Sequence, residues 1–258
     1  MKEHSTFNIQ HSTHKVADDS LSLNVGRSML NVECLLLLKS GKCNAALNMA
    51  LDEALLESMP RLQKPVLRFY GWTEPAATFG YFQKYSDVES STPLRPLIRR
   101  PTGGGIVPHD ADWTYSAIFP TGHEWYALRR RKATAASTNG CGLAFAELKI
   151  ETELAPDCKK SLPGQCFVGH EKFDLLWHGK KIAGAAQRRN KLGLLIQGSV
   201  QPPVISLMRN DWEAGMIKAG RRLLHVQGMD FSADEQLRQC AEKLRAEKYS
   251  QACYNQKR

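Results

Sequence analysis

Apolar positions along the chain fall into short runs of strand length, set between stretches with helical spacing. VECLLLLK (32–39) predicts a strand, and NAALNMALDEALLESM (44–59) follows with Leu47, Leu51 and Leu55 four residues apart, the spacing that lines one face of a helix. Asn44 is placed to cap that helix. PVLRFYGW (65–72) and PAATFGYF (75–82) read as two short strands separated by a turn at Thr73, Glu74 and Pro75. A strand running into Arg99, a glycine turn and a further strand at WTYSAIF come next.

Beyond these, a helix is predicted from Ala133 to Leu148, with STNGCG interrupting its pattern. FDLLWHGKKIAGAAQRR and LGLLIQGSV predict a group of strands with a turn at HGK. In ADEQLRQCAEKLRAEKY, Leu237, Cys240, Ala241 and Leu244 share one helical face, with Ser232 as the candidate cap. Strands come in clusters joined by short turns and helices stand between clusters. That order predicts an α+β fold with a mixed β-sheet packed with helices rather than a doubly wound parallel sheet.

Length and charge narrow the picture. Of the 258 residues 42% are hydrophobic, enough to bury one large core. The first thirty residues are polar, without a helical stripe or the apolar stretch of a secretion signal, and are expected to be a disordered extension (1–30) ahead of one domain (31–258). No apolar run approaches the roughly 20 residues that cross a bilayer, so no membrane association is expected and the cytoplasm is the expected compartment. There the seven cysteines would stay reduced.

The net charge of +9 implies a positive field that attracts acidic partners. Its clusters RPLIRR, ALRRRK, AQRRNK and AGRRLL lack the aromatic platform or helix-turn-helix of a nucleic-acid reader, so an acidic protein is the expected partner.

The chemistry concentrates in LIRRPTGGGIVPHDADWTYS (97–116). Three consecutive glycines strip the turn of Cβ atoms and let a ligand reach bare N–H groups. No Gly-Lys-Ser/Thr follows and the G-x-G-x-x-G spacing is missing, which excludes a Walker loop and a dinucleotide fingerprint. Arg99 and Arg100 before the turn, with His109 and Asp110 after it, point to a polar ligand. The cysteines and histidines (Cys158, Cys166, His170, His178) are too irregularly spaced for zinc, and no metal is expected.

RRPTGGGIVPHD resembles the Arg-Arg-x-Ser-Gly-Gly-Gly-x-x-x-His-Asp signature of the lipoate-protein ligase and octanoyltransferase superfamily. NMALDEALLE is similar to that family's first helix, and GKKIAGAAQRR to its lysine motif; the likeness runs from about Cys34 to Val200. The resemblance implies the biotin/lipoate ligase-like fold. It also implies that Arg100, Thr102 in the family's serine place, Gly103, Gly104, Gly105, Ile106 and His109 bind substrate, and that Lys181 holds the acyl carbonyl. Phe79, Tyr81, Ile106 and Val107 are the expected apolar wall.

By the same resemblance Cys166, upstream of the lysine motif, is the nucleophile of a cysteine-dependent octanoyltransferase. Gln197 stands where relatives often carry histidine. The implied reaction moves octanoyl, or lipoyl, from acyl carrier protein to a lysine of a lipoyl domain or glycine-cleavage H protein, with no cofactor. Three alternatives remain: an ATP-dependent lipoate ligase, an amidotransferase between lipoyl domains, and a non-catalytic protein that binds acylated domains.

Overall fold

The structure is a computed structural model and describes residues 34–160, 169–203 and 205–257. The predicted extension at 1–30 and Cys166 lie outside the described residues.

In chain order the elements are β1 (Cys34–Cys43), α1 (Ala45–Glu57), α2 (Met59–Leu62), β2 (Val66–Trp72), β3 (Ala76–Phe79), α3 (Tyr85–Val88), β4 (Leu97–Arg99), β5 (Val107–His109) and β6 (Trp113–Pro120). Next come α4 (Glu124–Ala127), α5 (Arg130–Glu147), β7 (Glu153–Leu154), β8 (Lys159–Lys160), β9 (Gly169–His170), β10 (Leu175–Trp177), β11 (Lys180–Asn190) and β12 (Gly193–Val200). Then follow α6 (Arg209–Leu224), β13 (Gln227–Asp230), α7 (Glu235–Leu244), a π-helical turn (Arg245–Tyr249) and α8 (Ala252–Asn255).

The main sheet has the order β13-β1-β2-β6-β12-β11-β10-β7. It is mixed: β1 runs parallel to β13 and β2, and every pairing from β2 to β7 is antiparallel. The expected α+β class with a mixed sheet is what the chain adopts. A smaller sheet, β4-β3-β5, carries the glycine turn between its outer strands.

Alternation along β2, β6 and β12 sorts side chains onto two faces. Leu67, Phe69, Tyr115, Ala117, Phe119, Leu194 and Ile196 enter one core with Ala144 and Phe145 of α5 and Trp212 and Met216 of α6. The opposite face meets α1, whose N-cap Asn44 accepts from Leu47 N at 2.9 Å as its sequence predicts. There Val66, Ile118 and Leu195 stand in register and join Leu51 and Leu55 of α1, with Leu237 and Ala241 of α7 packed in the same cluster.

Two helical expectations need correction. The helix predicted from Ala133 is unbroken from Arg130 through STNGCG, and its second glycine serves close packing rather than a break: a Cβ on Gly142 would lie 3.2 Å from Leu175 Cδ1. The cap of α7 is Asp234, not Ser232, since the Asp234 carboxylate accepts from Leu237 N at 2.9 Å. The turn at HGK is a two-residue hairpin loop in which His178 and Gly179 both have positive φ, 48° and 72°, matching the twist of the strands it joins.

Candidate active site

A half-open cleft of about 670 Å³, part of it open to solvent, lies where the small sheet meets the α1 face of the main sheet. Its lining includes Arg100, Gly104, His109, Lys181 and Gln197 among the residues singled out from the sequence, joined by Thr78 and Asp174.

The glycine turn is held from both sides. Arg100 is 5% exposed; its Nε and Nη2 donate to Gly103 O at 3.0 and 2.5 Å, and Nη1 donates to Thr78 O at 3.2 Å. Tyr81 N donates to Thr102 O at 2.8 Å, and Gly104 turns at φ 89°. A Cβ on Gly80 would sit 1.9 Å from Gly104 O, so a second glycine, outside the signature, is needed for the turn to lie against β3.

Thr102 fixes the turn to the sheet. Its hydroxyl donates to Gln197 Oε1 at 2.7 Å, and Gln197 Nε2 donates to Asp52 Oδ2 at 2.7 Å. Asp52, with no exposed surface, also accepts from Arg68 Nη1 at 2.6 Å, Ser116 Oγ at 2.7 Å and Tyr70 OH at 3.1 Å. Arg68, Ser116 and Gln197 stand side by side across β2, β6 and β12, all on the α1 face, which is why one carboxylate collects all three. The buried charges of Asp52 and Arg68 are paired and hydrogen-bonded, the condition under which burial is tolerated.

Lys181 faces the cleft through a local irregularity. The β10–β11 register shifts, pairing Leu176 with Lys181 but Leu175 with Ala183, so Ile182 is the extra residue of a bulge. In a regular strand Lys181 and Gly184 would point to opposite faces. The bulge brings them together: a Cβ on Gly184 would lie 3.0 Å from Lys181 Nζ and 2.7 Å from Asp174 Oδ1.

Lys181 Nζ meets Asp174 Oδ2 at 2.8 Å with the two side chains 6% and 10% exposed, while Lys180 next to it is exposed. Glu171 N donates to the same Asp174 oxygen at 2.6 Å. Burial raises the Asp174 carboxyl above its ordinary value, against the opposing pull of the Lys181 ammonium.

His109 is 4% exposed and stacks on Trp72 with ring centroids 3.8 Å apart. Its carboxylate partner is Asp112, at 2.8 Å from Nδ1, and not the adjacent Asp110, which lies just past the end of β5 and is exposed.

Three sequence expectations are placed differently by the fold. Arg99 is a structural tie: its guanidinium donates to the carbonyls of Tyr81, Gln83, Tyr254 and Asn255 and so anchors the chain's last helix. Ile106 and Phe79 pack with Ala77, Val88 and Leu97 under the small sheet, so their side chains belong to a core and not to the cleft. Tyr81 lines a separate groove with Phe82, Arg130, Arg188 and Arg189; of the four expected wall residues, Val107 lines the cleft.

Sequence reading missed Thr78, Asp112, Asp174, Asp52 and Arg68. A charge inside an apolar run was the available signal: Asp52 in ALDEALL, Arg68 in VLRFY and Asp174 in FDLL. Among the described residues, no group of three or more His, Cys, Asp or Glu side chains is placed to hold a metal ion. None of the described helices is long and apolar enough to cross a membrane.

This architecture is that of lipoate ligase catalytic domains. It superposes on a lipoate-protein ligase A bound with ATP with a TM-score of 0.70 at 21% identity, covering 88% of this chain and 99% of that one. The bipartite lipoate protein ligase of Thermoplasma acidophilum, studied with its E2 lipoyl domain, gives a TM-score of 0.67 at 20% identity over 87% of this chain and 96% of that one.

Residues 44–201 match the family model of the lipoyl protein ligase A/B catalytic domain, and the chain belongs to that family. The octanoyltransferase LipM of Anoxybacillus flavithermus is 38% identical over 62% of this chain and 63% of its own length. That of Oceanobacillus iheyensis is 38% identical over 61% and 60%. The chain thus spans less than two thirds of the length of these curated relatives.

Proposed function

We propose that the protein is an octanoyltransferase that moves an octanoyl or lipoyl group from acyl carrier protein to a lysine of a lipoyl domain or glycine-cleavage H protein, working in the cytoplasm without a cofactor. One observation carries the reading: a buried ammonium, Lys181, and Gly104 of the glycine turn that Arg100 clasps line a single cleft. Both are donors to a carbonyl oxygen that becomes negative during acyl transfer. The named relatives are octanoyltransferases, which supports transfer over ligation.

Chemically, the Cys166 thiolate attacks the donor thioester. A sulfur–carbon bond forms, the donor's breaks, and its thiol leaves with a proton. The acceptor lysine then displaces the enzyme sulfur to give the amide, a thioester-to-amide step that runs downhill. Lys181 and the turn hold the carbonyl in both halves. Asp174 orients Lys181, and the basic surface steers the acidic carriers.

Octanoyl transfer to a lipoyl domain, assayed with octanoyl carrier protein and without ATP, tests the reading: transfer should occur, and Cys166→Ala should abolish it. Full transfer by Cys166→Ala contradicts the covalent route. Pyrophosphate release from ATP and lipoate, with no transfer from the carrier protein, would instead support the ligase reading.

A further inference from the structure

A second group of side chains on the cleft wall has a fixed direction of hydrogen bonding. Trp72 Nε1 can only donate, and does so to Thr114 Oγ1 at 2.8 Å, so the Thr114 hydroxyl sends its own proton to Asp112 Oδ2 at 3.0 Å. Ser199 Oγ donates to the same oxygen at 2.7 Å. A carboxylate only accepts, so His109 Nδ1, at 2.8 Å, carries a ring proton, and in the neutral ring Nε2 is the nitrogen without one.

Nε2 lies 2.8 Å from Thr78 Oγ1. Arg100 Nη1 lies 3.4 Å from the same hydroxyl and can only donate, so against a neutral His109 the Thr78 proton goes to Nε2. Stacking on Trp72 fixes the ring plane. Thr78 and His109 both line the cleft that holds Lys181. Hydroxyl, bare imidazole nitrogen and buried carboxylate therefore follow one another in the order that makes a hydroxyl–imidazole–carboxylate triad a proton acceptor.

We propose that Thr78, His109 and Asp112 form a proton relay in the amide-forming half of the transfer reaction, a role that rests on the transferase reading above. When the acceptor amine attacks the acyl-enzyme, its nitrogen bonds to the carbonyl carbon and must lose a proton. That proton passes to Thr78 Oγ1 while Thr78 gives its own to His109 Nε2. The imidazolium is held by Asp112, and as the carbon–sulfur bond breaks the proton returns along the same path to the departing thiolate. Atoms and charge balance with no further reactant. Gln197 has no proton to exchange in this way, and His109 supplies the missing base from a different strand.

The experiment separates the two halves. Enzyme is first loaded from octanoyl carrier protein, then chased with a lipoyl domain or with hydroxylamine in large excess, where a second hydroxylamine molecule takes the proton that the relay would otherwise accept. His109→Gln and Thr78→Val should load, transfer to the lysine more slowly by on the order of 10²-fold, and still be cleared by hydroxylamine; Thr78→Ser should restore lysine transfer. Unchanged lysine transfer, or equal slowing toward both nucleophiles, overturns the relay. Should His109→Gln fail to fold, the Thr78 pair decides alone. If the unsubstituted enzyme never loads, the transferase reading fails instead, and the relay is judged by nitrogen NMR of His109: a protonated Nδ1 with bare Nε2 is expected, and the opposite tautomer overturns it.

Discussion

The same three strands show two different interiors. On the α5/α6 face, β2, β6 and β12 present Leu67, Phe69, Tyr115, Ala117, Phe119 and Ile196, a core that needs shape and little else. On the α1 face, one residue along, they present Arg68, Tyr70, Thr114, Ser116, Gln197 and Ser199, every one of them buried. The polar positions do not face water as half-exposed strands would. Arg68, Tyr70, Ser116 and Gln197 meet Asn48 or Asp52 of α1, Thr114 and Ser199 meet Asp112, and the cleft opens at their end. An apolar face tolerates a reshaped neighbour, whereas a polar face holds only while each donor meets its acceptor. The side that carries the proposed chemistry is therefore the one built from hydrogen-bonded polar groups, with Asp112 Oδ1 the acceptor left over.

The largest expected effect comes from removing the cleft's ammonium. Lys181→Met should lower octanoyl transfer by on the order of 10²–10³-fold in a steady-state assay, the scale set by losing one donor to a developing oxyanion.

Next, neighbouring residues on opposite faces can be compared by urea unfolding. Arg68→Met leaves the Asp52 carboxylate buried without its cation and should cost about 3–5 kcal/mol. Adding Asp52→Asn should recover part of that loss. Phe69→Ala should cost a similar ~3–5 kcal/mol by opening a cavity, and no charge-removing partner substitution should recover it.

Glycines sharpen the contrast further. Gly184→Ala drives a methyl into the Lys181–Asp174 pair and should slow transfer by on the order of 10²-fold through misplacement, whereas Gly103→Ala meets open space and should do much less. Thr102→Val, which leaves Gln197 Oε1 without its donor, should cost about 1–3 kcal/mol.

Smallest is a labelling difference. Burial pushes the Cys141 thiol up to about 12, so at neutral pH it should resist alkylation while exposed Cys158 and Cys253 react, as read by mass spectrometry of peptides.

Much of this was legible in the chain. Leucines at 47, 51 and 55 set out α1, Asn44 its cap, and the glycine run and GKKIAGAAQRR marked two walls of the cleft. Strand membership was harder to read, because PVLRFYGW and PAATFGYF look alike in composition yet enter different sheets, a choice made by long-range pairing with β6 and β4. Helix α6 went unread since its polar face obscures Trp212 and Met216, and only its packing on the sheet discloses them.

Within the site, Arg99 and Arg100 are indistinguishable as neighbours. Arg99, the last residue of β4, reaches the C-terminal segment, and Arg100, just beyond the strand, reaches the glycine turn. Likewise nothing in HDAD says that His109 pairs with Asp112 rather than Asp110, because the choice depends on how the chain bends after β5.

The central claim, that a cysteine passes an octanoyl group held by Lys181 and the glycine turn, is tested most directly by intact-protein mass spectrometry after exposure to octanoyl carrier protein. One added octanoyl group, removed by hydroxylamine, mapped to Cys166 and diminished in Lys181→Met, is the predicted result. An unmodified protein that nevertheless transfers octanoyl to the lipoyl domain, or a label on another residue, would contradict it.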